Sequence, residues 1–360
     1  MGQGPLAGLK IVEFAGIGPA PFAVTLLSDL GAEVLRIDRP GGGAAAEDVT
    51  ARGRASLALD LKDPADLKVA MAALAAADVL IEGYRPTVME RLGLGPDEML
   101  ALNPRLIYGR MTGWGQTGPL AHAAGHDINY IALTGALDAI GAPGGRPIPP
   151  LNLVGDYGGG ALYLVMGVLA ALHERATSGK GQVIDAAVVD GASSLMGLFC
   201  WLSASGMTSM KTGEGLLAGA MPFYRTYECA DGRHVSVGPL EPAFHVELRR
   251  RLGLPEIPEG SAEQQAEALA AVFRTRTRDE WTARLEGTDA CFAPVLSLAE
   301  APSHPHMAAR KAFVDIDGRV QPNVAPRLSR TPGAIQGPPV AAGIGGAERL
   351  RAWGVEPPAR

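Results

Sequence analysis

The fold turns on residues 8–40, GLKIVEFAGIGPAPFAVTLLSDLGAEVLRIDRP. KIVEFAG reads as a short apolar strand and PFAVTLLSDLG as a helix ending at glycine. AEVLRIDRP is a second strand, stopped by a proline that has no N–H to continue a ladder. The cycle then repeats. SLALDL (56–61) is strand-like, DPADLKVAMAALAAA (63–77) has helical periodicity behind a capping aspartate, and DVLIEGYRP (78–86) is another strand closed by proline. PRLIYGRMTGWG (104–115) adds one more. Strands alternating with helices of ten or more residues imply βαβ units, a mostly parallel sheet, and ligands at the carboxyl ends of its strands. GIGPAP (16–21), with Asp38 at the end of the next strand, partly matches a dinucleotide fingerprint. Pro19 and Pro21, however, remove N–H donors that a pyrophosphate would need, so a tight strand-to-helix turn is the better reading.

The character of the chain changes near residue 190. GASSLMGLFCWLSASGM (191–207) is helical and leads into the glycine-rich TGEGLLAGAMP (212–222). In FYRTYECADGRHVSVGPLEP (223–242) a D-G turn joins two strand-like halves into a hairpin. Helical segments at 243–254 and 261–287 and the strand-like CFAPVLSL (291–298) follow, and beyond about residue 320 the chain is a proline-rich, extended tether back to the first domain. The expected class is α/β. A large Rossmann-like domain spans 1–188, a linker helix and loop 189–222, a small α+β domain 223–318, and a return segment 319–360.

Composition narrows the function. A net charge of -6 without a block of lysine and arginine argues against nucleic-acid or membrane-surface binding and favours a small-molecule partner. Cys200, Cys229 and Cys291 are far apart and odd in number, which implies neither a disulfide framework nor a thiolate metal site and fits a reducing cytoplasm. The N-terminus lacks the pattern of a signal peptide, and the most apolar run, 161–172, is too short to cross a bilayer and reads as a buried helix. No membrane insertion is expected.

Several chemical groups stand out. Arg39, Lys62, Arg85 and Arg91 follow predicted strands, where they are either solvated charges or a cluster along one rim of the sheet suited to a phosphorylated ligand. His126, in AGHDINY (124–130), is read alone as either a packed ring or an acid–base group. Asp156, in VGDYGGG, is either a helix N-cap or an acid–base group, and a helix N-terminus would lower its pKa. His304 and His306, in SHPHM, lack a nearby carboxylate in sequence and are read as a surface loop, so no metal is expected.

Nine ordered segments together carry a resemblance. Residues 8–40, LALDLK (57–62), LIEGYRPTVMERLGLGP (80–96), NPRLIYGRMTGWGQTGP (103–119), AGHDINY, PLNLVGDYGGG (150–160), SGKGQVIDAAVVDG (178–191), YECADGRHVSVGPLEP (227–242) and APRLSRTP (325–332) resemble the α-methylacyl-CoA racemases of the wider class III CoA-transferase family. The resemblance implies an interlocked homodimer and a cofactor-independent isomerase that inverts 2-methylacyl-CoA thioesters by two-base proton transfer through an enolate. It makes His126 and Asp156 the two bases. Glu241, Asn152 and Asp127 would support them, with N–H donors from Asp127 onward meeting the enolate oxygen. The same resemblance places the CoA thioester against Arg39, Leu59, Asp60, Leu61, Lys62, Gly83, Tyr84, Arg85, Arg91, Gly125, Ile128, Asn129 and Tyr130. No redox cofactor is needed, because moving a proton on and off carbon changes no oxidation state. The alternatives are a CoA-transferase in which Asp156 attacks the thioester, and a CoA-binding protein without catalysis; the first has no use for a second base opposite the aspartate. One departure stands out: GLLAGAMP, with Gly215, Leu216, Ala218 and Met221, replaces an N-M-L-D-G-G-A-P-like segment of these racemases, leaving the preferred acyl chain open.

Overall fold

A computed structural model describes residues 3–254 and 260–356. They form two compact units: Met1–Thr134, Leu151–Leu195 and His306–Arg360 make the first, and Gly135–Pro150 with Met196–Pro305 the second. The expected boundaries therefore shift. The 189–222 linker is divided at residue 195, residues 306–318 go with the first unit rather than the small domain, and 135–150 go with the second.

In the first unit, β1 (Lys10–Phe14), β2 (Glu33–Asp38), β3 (Arg54–Ala58), β4 (Val79–Glu82), β5 (Ile107–Thr112) and β6 (Val183–Ala187) form an all-parallel sheet in the order β3-β2-β1-β4-β5-β6. The order reverses at β1, where Ile11 pairs with Val34 on one side and Val79 on the other, so a crevice opens at the carboxyl ends of β1 and β4. Because successive residues of a strand point to opposite faces, Val12, Phe14, Leu35 and Leu80 feed one apolar layer while Ile11, Val34, Val79 and Ile107 feed the other. The helices Pro19–Asp29 and Leu162–Ser178 cover the second layer, and Pro64–Ala75 and Gly346–Ala352 the first. This two-sided burial explains the nearly unbroken apolar runs seen in sequence. Asp63 caps its helix as expected, accepting from the Ala65 N–H at 2.8 Å.

The apolar run at 161–172 belongs to a longer element. Leu153–Ser178 is one continuous 26-residue helix, long and apolar enough by length and composition to cross a bilayer. Only one stripe of it is buried: Leu164, Val168 and Ala171 pack on the sheet, whereas Leu162 and Met166 on the other side are 52% and 58% exposed. The expectation of a short, buried helix is corrected on both counts.

The second unit holds an antiparallel sheet of β7 (Arg225–Glu228), β8 (His234–Val237) and β9 (Phe292–Pro294), with Pro242–Leu252, Ala262–Phe273 and Arg278–Leu285 among its helices. Tyr227, Val235, Leu248, Phe273 and Trp281 form its core. The proline-rich stretch is less uniform than its composition implies, because β10 (Phe313–Ile316) and β11 (Arg319–Pro322) pair as a hairpin before it. Farther on, the chain lies against the carboxyl ends of β2 and β3. Arg36 Nη2 donates to the Val340 carbonyl at 2.9 Å, and the Gly343 N–H donates to Ser56 Oγ at 3.1 Å. Gly43 bridges to Ala341, and a Cβ at Gly43 would stand 2.4 Å from the Ala342 nitrogen.

Candidate active site

Two clefts open at the crevice of the first unit. The larger, of 970 Å³, is walled by the loops that follow β1, β2, β3 and β4, and the smaller, of 330 Å³, by those after β1, β4 and β5 together with Ala121, residues 123–126 and Asp156. Ile17 and Tyr84 line both, so the two clefts adjoin. Arg39, Leu59, Asp60, Leu61 and Lys62 line the larger cleft, Gly83, Arg85, Gly125 and Tyr130 the smaller. Arg39 and Lys62 are exposed at the rim of the larger cleft. Arg91 lines neither cleft and donates to Thr87 Oγ1 at 3.0 Å. Asp38 is already engaged by Arg36 Nε at 2.8 Å and by the Ser56 hydroxyl, which leaves it poorly placed for the ribose contact of a dinucleotide fold.

His126 and Asp156 line the smaller cleft together. His126 is the N-cap of the helix Asp127–Ala132, its ring exposed and its N–H held by Asn129 Oδ1 at 3.1 Å. The first helical N–H with an acceptor inside the helix is that of Asn129, bonded to the His126 carbonyl at 2.8 Å, so the Asp127 and Ile128 N–H groups precede the intrahelical ladder. Asp127 itself points inward. Its Oδ1 accepts the Asp156 N–H at 2.7 Å, and its Oδ2 is buried with no hydrogen-bond partner.

Of the two readings of Asp156, the helix N-cap does not hold. Asp156 lies inside Leu153–Ala161, a π-helical segment capped by Asn152 that runs straight into Leu162–Ser178. π-turns are rare and often accompany functional sites. Nor is its pKa lowered: burial pushes the carboxyl up, the Asp127 carboxylate adds to this, and a hydrogen bond from Asn152 and the charge of His126 oppose it. Three glycines fit the segment closely. A Cβ at Gly155 would lie 2.2 Å from Asp127 Oδ1, and one at Gly191 would lie 1.8 Å from the Gly159 carbonyl. Gly18, at φ 75° beside the Asp156 carboxyl, would bring a Cβ to 3.4 Å of Oδ2.

Sequence reasoning missed Ile17, Gly18 and Trp114 at this site. The glycine turn after β1 and the position just past β5 were the available signals, since ligands of such sheets meet strand ends. Glu241 caps the helix Pro242–Leu252 of the second unit and is exposed. His304 does have a carboxylate beside it after all, Glu286 at 2.7 Å; among the described residues no group of three or more His, Cys, Asp or Glu is arranged to hold a metal.

Comparison with known proteins adds to this geometry. Residues 6–343 match the family model for CoA-transferase family III. The chain is 45% identical to an alpha-methylacyl-CoA racemase of Mus musculus, over 91% of this chain and 87% of that protein. It is 41% identical to an alpha-methylacyl-CoA racemase of Homo sapiens, over 91% and 87%. Among solved structures, a CAIB/BAIF family protein from Brucella suis superposes with a TM-score of 0.83 at 26% identity, covering 98% of this chain and all of that one.

Proposed function

The chain belongs to CoA-transferase family III, and we propose that within it the protein is a racemase of 2-methylacyl-CoA thioesters. The observation that carries this reading is the meeting of His126 and a pKa-raised Asp156 in one small cleft that continues into a larger, cation-rimmed one. Inversion at a carbon next to a thioester carbonyl needs a base on one face and an acid on the other, so two groups able to exchange those roles near neutral pH are required. A carboxyl does so only when its pKa is raised, which burial and Asp127 achieve for Asp156.

In this reading the phosphorylated head of CoA lies beside Arg39 and Lys62, the pantetheine arm passes Ile17 and Tyr84, and the acyl α-carbon sits between His126 and Asp156. One base removes the α-proton, the electron pair moves onto the thioester oxygen, and the other group delivers a proton to the opposite face. N–H groups at the start of the Asp127–Ala132 helix stabilise the oxyanion. The chemistry calls for no redox cofactor or metal. The active form is a homodimer that covers the exposed apolar residues of the Leu153–Ser178 helix, with Glu241 of the small domain orienting a catalytic histidine, and the enzyme works in the cytoplasm.

Incubating one enantiomer of a 2-methylacyl-CoA with the enzyme in D₂O tests this: optical activity should decay as α-deuterium enters. Retention of the α-proton after long incubation would overturn it. A hydroxylamine-trapped acyl group at Asp156, with full activity in His126→Ala, would instead mark acyl transfer.

A further inference from the structure

Tyr130 belongs to the smaller cleft, and the resemblance makes it a substrate contact, but its surroundings point to another task. The ring fills the space left by two glycines. A Cβ at Gly113, just past β5, would lie 2.0 Å from ring atoms Cε1 and Cζ, and one at Gly125 would lie 2.7 Å from Cε1. The Trp114 ring closes a third side, edge-on at 4.8 Å between centroids and 89° between planes. The hydroxyl donates to the Gly125 carbonyl. Burial and the nearby carboxylates of Asp156 and Asp127 raise its pKa, against the opposing charge of Arg85, so it keeps the proton it donates.

We infer that Tyr130 is the positioning residue for His126: a strut between the end of β5 and the Gly125–His126 peptide that sets where the imidazole stands. The geometry carries this. The Gly125 carbonyl is part of the peptide plane that also contains the His126 nitrogen and Cα, so holding it fixes where the His126 Cα stands and narrows the directions open to the catalytic side chain. Proton transfer to or from carbon tolerates little error in that direction, since a displacement near 1 Å can cost about a hundredfold in rate. The hydroxyl is spent on Gly125, and what reaches the substrate from this residue is its ring.

The inference rests on the racemase reading, and its test separates the two. Tyr130→Phe keeps the wedge and loses the bond to Gly125. Its kcat should fall about tenfold while KM stays within about twofold. The telling readout is the ratio of deuterium exchange to inversion in D₂O. For the enantiomer that Asp156 deprotonates, a misplaced His126 protonates the enolate poorly. The enolate then lives long enough for the Asp156 carboxyl to trade the proton it took for a solvent deuteron and return that deuteron to the same face, giving exchange with retention, and the ratio rises. For the enantiomer that His126 deprotonates, exchange and inversion slow together. Gly113→Ala, which displaces the ring but keeps its hydroxyl, should give the same asymmetry. Should either variant melt as the wild type does yet leave the ratio unchanged for both enantiomers, the positioning role is overturned, while the wild-type inversion assay still stands for the function.

Discussion

At the scale of single residues the site is governed by how two carboxylates share a small space. Asp127 holds the Asp156 backbone and raises the Asp156 carboxyl. Replacing it by asparagine keeps an acceptor for that N–H while removing the charge. Asp127→Asn should therefore move the acidic limb of the kcat/KM profile to lower pH, and an unmoved limb would show that Asp127 does not set this ionisation. Asp156→Asn should abolish inversion and also stabilise the fold. With a folded pKa above its ordinary value, Asp156 binds its proton more tightly when folded, so the stability its protonated form contributes is fully present below pH 3.8 and lost as pH rises through the folded value. Denaturant melts should accordingly show Asp156→Asn as the more stable protein at pH 7 and the two as equal below pH 3.8. Of these residues, His126 and Asp156, thirty positions apart, stood out singly as candidate acid–base groups and were paired only through the family resemblance. The bond between Asp127 and the Asp156 backbone was not legible, because it arises only when two loops meet. Nor was the π-segment, whose one trace in sequence is the run Gly158–Gly160.

Among the elements, the parallel sheet was legible wherever strands are buried on both faces. β6 escaped notice because Val183 is 40% exposed and only its last two residues are buried at the sheet edge. The β10–β11 hairpin turns at Asp317–Gly318, both at positive φ, and carries the same D-G signal that revealed the hairpin at Asp231–Gly232; the surrounding prolines masked it. Where elements touch, glycine decides how closely. The helix Val188–Leu195 meets the π-segment backbone to backbone at Gly191 and Gly159, so Gly191→Ala should destabilise the first unit by about 1–3 kcal/mol and lower kcat by shifting Asp156. Equilibrium unfolding and a kcat assay together check it. The wall of the larger cleft depends on a different contact. Arg54 and Glu13 pair at 2.6 Å with almost no exposure, and Arg54 also donates to Thr25 and to the Pro21 carbonyl. Glu13→Leu leaves that guanidinium buried with its charge uncompensated and should cost about 3–5 kcal/mol, measured by urea titration.

For the whole molecule, the exposed apolar side of the Leu153–Ser178 helix is the feature that composition alone could not reveal, since the same residues would suit a core. Met166→Glu places a charge on that side without touching the packed stripe. If that side is covered in the proposed homodimer, sedimentation should show weaker self-association and activity should fall in step, whereas an unchanged association state would overturn that placement. The stretch near Val340–Gly343 has a consequence of another kind. It secures the ends of β2 and β3, and with them the glycine loop of the larger cleft, through contacts such as Arg36 to Val340 that span 304 positions. A ribosome adding about 5–20 residues per second needs on the order of 15–60 s to cover that distance. The βαβ units can pair as they emerge, but the larger cleft stays open-walled throughout that interval. Completion of that wall therefore waits on the last part of the chain to be made.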